Sequence, residues 1–208
     1  MRLFVLGATG RTGCALVGQG LGRGHAVTTF GRSAPVGDTT EALRIVIGNP
    51  MRAADVAAAL PGHDAVLSAL GTRGLGTTSV LVDSARAIIE AMRRARVRRL
   101  VILSSSLVDG RSGWVANLAG RTLLRHTAED QRAMERLITG SELDWTLLRP
   151  ARLVNGALTG DYTAMATSDG IPLSNAGLTR EDLAHMMLDT VERGAHMKEI
   201  VWLRGGRA

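Results

Sequence analysis

Leu3-Phe4-Val5-Leu6-Gly7-Ala8-Thr9-Gly10-Arg11-Thr12-Gly13-Cys14-Ala15-Leu16-Val17 decides the architecture of this chain. The four apolar residues read as a buried strand, the glycine-rich heptad as a turn, and the residues after Gly13 as the start of a helix. A helix N-terminus leaves backbone N–H groups unpaired and carries partial positive charge, which suits a pyrophosphate. Gly7 takes the tight turn off the strand, Gly10 lets the backbone approach the phosphates, and Gly13 lets the helix lie close to the sheet. Glycine spacing alone is a weak signal in a chain with 25 glycines. The strand before it, the helix after it and further strands at suitable intervals are the context the fingerprint demands. The stretch therefore reads as dinucleotide-binding.

Working outward, strand and helix signals alternate, as expected of a parallel sheet with helices on both faces. Strands are predicted at 2–6, 25–30, 43–47, 64–70, 99–103 and 145–148, the last stopped by Pro150. Helices are predicted at 12–22, 51–60 and 77–94, with a longer one within 115–139. The C-terminal part is less regular: a short strand at 162–166, a helix running to about residue 192, and a final strand at 199–203. Thr179, with the acidic Asp182 three positions on, resembles a capping box for that helix. The fold class is α/β, a Rossmann-like doubly wound parallel sheet. One domain is expected over residues 1–208, with a small C-terminal substrate-side region. Ligands of such sheets bind beyond the carboxyl ends of the strands.

With 3% aromatic residues, the core must be built from Leu, Val, Ile, Ala and Met. No apolar run approaches the roughly 18 residues of a membrane span. The first strand begins almost at Met1, leaving no room for a secretory signal, and the single cysteine forms no internal disulfide. A reducing cytoplasm is the expected location. Cys14 itself, early in a helix, is expected to pack rather than react. The net charge of +6 is sharpest at Arg93-Arg94-Ala95-Arg96-Val97-Arg98-Arg99. That run falls where a helix ends, so the cations complement its dipole and face solvent. No aromatic residues are interleaved for stacking on bases, which argues against a nucleic-acid partner.

Strand 2 ends Thr29-Phe30-Gly31-Arg32-Ser33, with no acidic residue for a ribose 2′-hydroxyl. Arg32 offers a planar guanidinium suited to a 2′-phosphate, and Arg11 adds a second cation, so NADP(H) is the expected cofactor. Thr9 lies within the same loop. Strand 4 runs into Leu70-Gly71-Thr72-Arg73, whose small residues allow close backbone contact with the cofactor. Strand 5 runs into Ser104-Ser105-Ser106, hydroxyls in reach of a nicotinamide or a substrate carbonyl. Ordinary short-chain dehydrogenases use a Tyr-x-x-x-Lys pair as acid and base. Here the only tyrosine is Tyr162 and the only lysine is Lys198, so that pair is absent.

The glycine spacing resembles the extended and atypical short-chain dehydrogenase/reductase superfamily. Together with Arg32, Gly71-Thr72-Arg73, Leu148-Arg149-Pro150, Leu158-Thr159-Gly160-Asp161-Tyr162-Thr163 and Asp182-Leu183-Ala184-His185-Met186-Met187, it is similar to the biliverdin-IX-beta reductase/flavin reductase family. The resemblance implies an NADPH-dependent reductase of flavins and open tetrapyrroles with an open, shallow site. It further implies Gly10, Thr12 and Gly13 at the pyrophosphate, Arg32 at the 2′-phosphate, Thr72 and Arg73 along the cofactor, and Ser106 near the nicotinamide. Two positions depart from that family: Arg152 stands where it has a histidine, and Asn49 where it has an acid near the adenine. His126 is the other candidate proton donor, and Trp114 a candidate cover for the substrate. The expected function is hydride transfer to a small planar acceptor (flavin, quinone or tetrapyrrole-like) by a monomer or small homo-oligomer. An NADP(H)-binding redox sensor without turnover, or a specialised biosynthetic enzyme on the same fold, stays open.

Overall fold

The computed structural model describes residues 1–35, 41–71, 78–106, 125–167 and 177–206, with Arg125 by its backbone alone. In chain order the elements are β1 (Arg2–Leu6), α1 (Arg11–Gly22), β2 (Ala26–Gly31), β3 (Leu43–Ile47), α2 (Ala53–Ala59), β4 (Ala65–Ser68), α3 (Val80–Ala95) and β5 (Arg99–Leu103). There follow α4 (Arg125–Thr139), β6 (Asp144–Pro150), β7 (Leu153–Val154), β8 (Tyr162–Met165), β9 (Leu178–Thr179), α5 (Arg180–Glu192) and β10 (Glu199–Gly205).

Eight strands form one sheet in the order β3-β2-β1-β4-β5-β6-β10-β8, parallel throughout except for β8, which runs antiparallel to β10. The near-continuous apolar runs follow from burial on both faces. In β1, Phe4 and Leu6 point to the side covered by α2, α3 and α4, where they meet Val56, Ile88, Met92, Met134 and Ile138. Leu3 and Val5 point to the other side, against Leu16 and Val17 of α1 and Leu183 and Met187 of α5. Phe4 and Phe30 stack with centroids 5.4 Å apart. The chain leaves β1 to build β2 and β3 on one side, then crosses back to place β4 on the other. That reversal opens a crevice beyond the carboxyl ends of β1 and β4.

Several predicted bounds move by one to three residues, and three expectations need correction. β6 runs through Pro150 instead of stopping before it. Leu148 C=O accepts from Ser104 N–H, so its backbone faces the β5 side. Pro150, of the same parity, turns its missing N–H to that side, beyond the last β5 pairing at Leu148. Arg99 does not face solvent: its guanidinium is buried, donating to the carbonyls of Asp144 (2.8 Å), Thr190 (3.1 Å) and Ala195 (2.7 Å). It thereby places a cation on the C-terminal end of α5. Cys14 is exposed, its Sγ donating to the Ala8 carbonyl at 3.2 Å, because the buried stripe of α1 takes Thr12, Gly13, Leu16 and Gly20 instead. The ribbon β7–β9 was not foreseen, since two-residue strands leave no periodicity to detect. The start of the predicted 115–139 helix and Trp114 lie outside the described residues. Among the described residues, no helix is long and apolar enough to cross a membrane.

At the starts of two helices, buried carboxylates tie distant elements together. No side chain within α3 caps its start; Asp130 of α4 accepts from Leu81 N–H at 3.0 Å and Val82 N–H at 2.9 Å instead. At α5, Thr179 Oγ1 accepts from Asp182 N–H at 2.9 Å, as its spacing predicts. The buried Asp182 carboxylate then takes the hydroxyls of Thr179 and Thr159 and the N–H groups of Thr159 and Gly160, all at 2.7–2.9 Å. Burial pushes its pKa up, but hydrogen bonds from Thr179, Gly160 and Thr159 outweigh burial and hold it below the ordinary carboxylate value. A lowered folded-state value stabilises the fold above the unfolded pKa of about 3.9, and that contribution is lost as pH falls through the folded value. Asp182→Ala is expected to cost roughly 3 kcal/mol at neutral pH by urea unfolding, because it orphans several donors. The gap between variant and parent should narrow on acidification below about pH 4; a gap independent of pH would contradict an ionised Asp182.

Candidate functional site

At the end of β1, Gly7 adopts φ +80°, and a Cβ there would come within 2.6 Å of the Ala69 carbonyl group and 2.8 Å of Leu70 N. The exits of β1 and β4 therefore touch backbone to backbone. Gly10 N–H donates to Gly7 C=O at 3.0 Å, closing the turn. Gly10 is then the extended N-cap of α1, with no side-chain cap and no acidic residue in the first turn. A Cβ on Gly13 would overlap the Gly7 carbonyl, so only glycine lets α1 approach so closely. The result is a helix N-terminus aimed into the β1–β4 crevice with nothing of its own to neutralise it, which suits a diphosphate.

The other cofactor candidates surround this loop. Thr9, Gly10 and Arg11 are exposed, whereas Thr12 is buried against the sheet. Leu70 packs against the core beneath the crevice, and Gly71 is exposed above it; Thr72 and Arg73 lie outside the described residues. Arg32 is exposed past β2 and makes no ion pair among the described residues. Asn49, past β3, is engaged in its own turn: Oδ1 accepts from Met51 N–H at 3.1 Å, and its N–H donates to Asp55 at 3.0 Å. Asp55, in the first turn of α2, is thus the acid that stands at this corner.

Beyond β5 and β6 the serines are tied inward. Ser106 Oγ donates to Ala151 C=O at 3.2 Å. Ser104 Oγ donates to the buried Glu135 carboxylate, which also receives Nε of Arg149 at 2.9 Å and its Nη2. Arg149 lies over the Trp202 ring, 5.0 Å from its centroid. Glu135 was missed in the sequence, although a signal existed. Gln131, Met134, Glu135 and Ile138 fall at i, i+3, i+4 and i+7, so a charge sits on the buried stripe of α4 and demands a partner.

Arg152 is exposed past β6, its carbonyl accepting from Leu178 N–H at 2.8 Å. His126 is half exposed in the first turn of α4, 3.8 Å from Glu129. The structure brings the two to the carboxyl edge without joining them in any hydrogen bond among the described residues. Tyr162 and Lys198 flank opposite ends of β10, so the missing Tyr–Lys pair is not rebuilt in space. Burial, then the carboxylates of Asp189 and Asp182, raise the Tyr162 pKa, the reverse of an activated tyrosine acid. A cleft of about 570 Å³ between α3 and α4, lined by Arg86, Ile89, Arg93 and Leu137, lies at the opposite edge of the sheet and takes no part in the crevice.

Residues 7–193 match a family described as NAD(P)H-binding. The chain belongs to that NAD(P)H-binding family. It is similar to the uncharacterized sugar epimerase YhfK of Bacillus subtilis, 27% identical over 92% of this chain and 88% of that protein. The fold matches the oxidoreductase ylbE from Lactococcus lactis with a TM-score of 0.84 at 21% identity, covering 100% of this chain and 92% of that one. It also matches a wide-type short-chain dehydrogenase/reductase from Veillonella parvula, solved in complex with NADP, with a TM-score of 0.81 at 18% identity over 97% and 93% of the two chains. The fold of this NAD(P)H-binding protein is the one those two structures share.

Because the Gly13 Cβ would displace Gly7, Gly13→Ala is expected to weaken NADPH binding by about tenfold or more, roughly 1.4 kcal/mol, in a fluorescence titration. Unchanged affinity would remove the loop from the site. Glu135→Ala is expected to destabilise by about 3–5 kcal/mol, since it removes the carboxylate from a buried guanidinium. The double variant Glu135→Ala/Arg149→Met should recover part of that loss in thermal unfolding; a strictly additive result would mean that the pair is not coupled.

Proposed function

We propose that this protein is an NADPH-dependent reductase of a small planar acceptor, such as a flavin, a quinone or an open tetrapyrrole. The observation that carries the reading is the uncapped N-terminus of α1 at the β1–β4 reversal, combined with an exposed guanidinium at the β2 exit that has no ion pair among the described residues. The first suits a diphosphate and the second a 2′-phosphate, the feature that separates NADPH from NADH. The resemblance to flavin and tetrapyrrole reductases supports the acceptor class, and the absence of a Tyr–Lys pair fits it. A bound reduced nicotinamide would supply the hydride itself. The chain contributes placement: the amides of residues 11–13 and Arg32 hold the two ends of the adenosine diphosphate half, Leu70 and Gly71 give it a close floor, and the β5 and β6 exits border the acceptor. Arg152, exposed at that border, offers a cation to a negative charge developing on the acceptor. The expected ligands are small molecules, with the chain acting alone or as a small homo-oligomer.

A sensor that binds NADP(H) without turnover is the second reading. It is favoured by the serine hydroxyls beyond β5, since Ser104 and Ser106 both donate inside the protein and so are not free as donors to a substrate. Absorbance of NADPH followed with riboflavin and quinone acceptors separates the two. Acceptor-dependent loss supports the reductase, and tight binding with no turnover across the series supports the sensor. Arg32→Ala is expected to weaken NADPH by about ten- to a hundredfold while leaving NADH nearly unchanged, the loss of one or two charge-assisted hydrogen bonds. Equal effects on both nucleotides would count against its phosphate role.

A further inference from the structure

Arg180 opens α5 directly after β9, and Asn155 follows β7. The ribbon register sets Val154 against Thr179, so these two residues emerge side by side, and Arg180 Nη1 donates to Asn155 Oδ1 at 2.8 Å. That bond fixes the guanidinium and leaves the Asn155 NH2 as a further donor. Arg180 is half buried, and no carboxylate pairs with it among the described residues. The acids nearest in sequence are committed elsewhere: Glu181 accepts from Gln19 at 2.7 Å, and Asp182 is held by Thr159, Gly160 and Thr179. The neighbouring charge is instead a second cation, Arg11 of the glycine loop; burial, then that charge, lower the Arg180 pKa. A partly desolvated cation with no carboxylate beside it is unfavourable until an anion joins it.

We propose that Arg180 and Asn155, joined where the chain leaves the β7–β9 ribbon, form an oxyanion subsite that takes a phosphate or carboxylate of the acceptor. This rests on the reductase reading. The α1 amides and Arg32 suit the cofactor's phosphates, whereas Asn155 and Arg180 follow β7 and β9, which pair as a ribbon outside the main sheet. A guanidinium braced on one side and a free amide NH2 together suit a planar or tetrahedral oxyanion. The acceptor class is therefore acidic, with FMN preferred over riboflavin.

FMN and riboflavin share one ring system and differ by a phosphate. Titrated into the protein saturated with NADP+ and followed by flavin fluorescence, FMN is expected to bind about ten- to a hundredfold tighter than riboflavin. Arg180→Gln should abolish that preference and Asn155→Ala, at an exposed position, should reduce it, each leaving riboflavin and NADPH affinity within about twofold. No preference in the parent protein, or one that survives both substitutions, overturns the subsite. A loss of NADPH affinity matching the loss for FMN also overturns it, and assigns Arg180 to the cofactor's diphosphate. Because binding is read without turnover, an FMN preference with no NADPH oxidation would defeat the reductase reading alone.

Discussion

The structure depends on one close approach, where the backbone of Gly7 lies against Ala69 and Leu70 while the first turn of α1 lies against Gly7. These contacts join β1, β4 and α1 at the point where the sheet reverses direction. A side chain at Gly7 or Gly13 would separate them. Their joining leaves the helix N-terminus bare and pointed outward, with the core closed beneath it by Leu6 and Leu70. The site is a consequence of how the sheet is wound, more than of any reactive side chain.

The second theme is how a core poor in aromatics is held in register. Buried charges act as ties between distant segments. Asp130 fastens α4 to the start of α3, and Arg99 fastens β5 to the end of α5. Glu135 draws the β5 exit, α4 and β6 together, and Asp182 anchors the segment at Thr159–Gly160 to α5. Each satisfies donors or carbonyls that a helix end or a loop would otherwise leave unpaired in a dry environment. The Glu135 tie holds the exits of β5 and β6, so the same bonds that stabilise the fold also place them.

Charge at the carboxyl edge follows the opposite rule. Arg11, Arg32, Arg152 and Arg180 have no carboxylate partner among the described residues, whereas Arg2 and Arg98 at the far edge face Asp64 and Asp144. A concentration of unneutralised guanidinium groups around a bare helix N-terminus produces a field that favours polyanionic ligands. Nicotinamide dinucleotides and phosphorylated flavins both answer that description.

Much was legible in the chain itself. The apolar runs at β1, β4 and β5 and the glycines of the first loop point to a parallel sheet and a phosphate-binding turn, because period and backbone freedom are local properties. The exposed position of Arg32 past β2 and the cap at Thr179 are legible for the same reason: each follows from a residue's place relative to a strand or helix end. Pairings across the fold were not. Asp130 with α3, Glu135 with Arg149, the burial of Arg99 and the meeting of Arg180 with Asn155 join residues 14 to 96 positions apart. Composition makes such residues look solvated, and only packing reveals that they have left water and must be satisfied by one another. The residues alone thus determined the winding and the turn, and tertiary structure decided which charges are buried ties and which stand at the carboxyl edge without a carboxylate partner among the described residues.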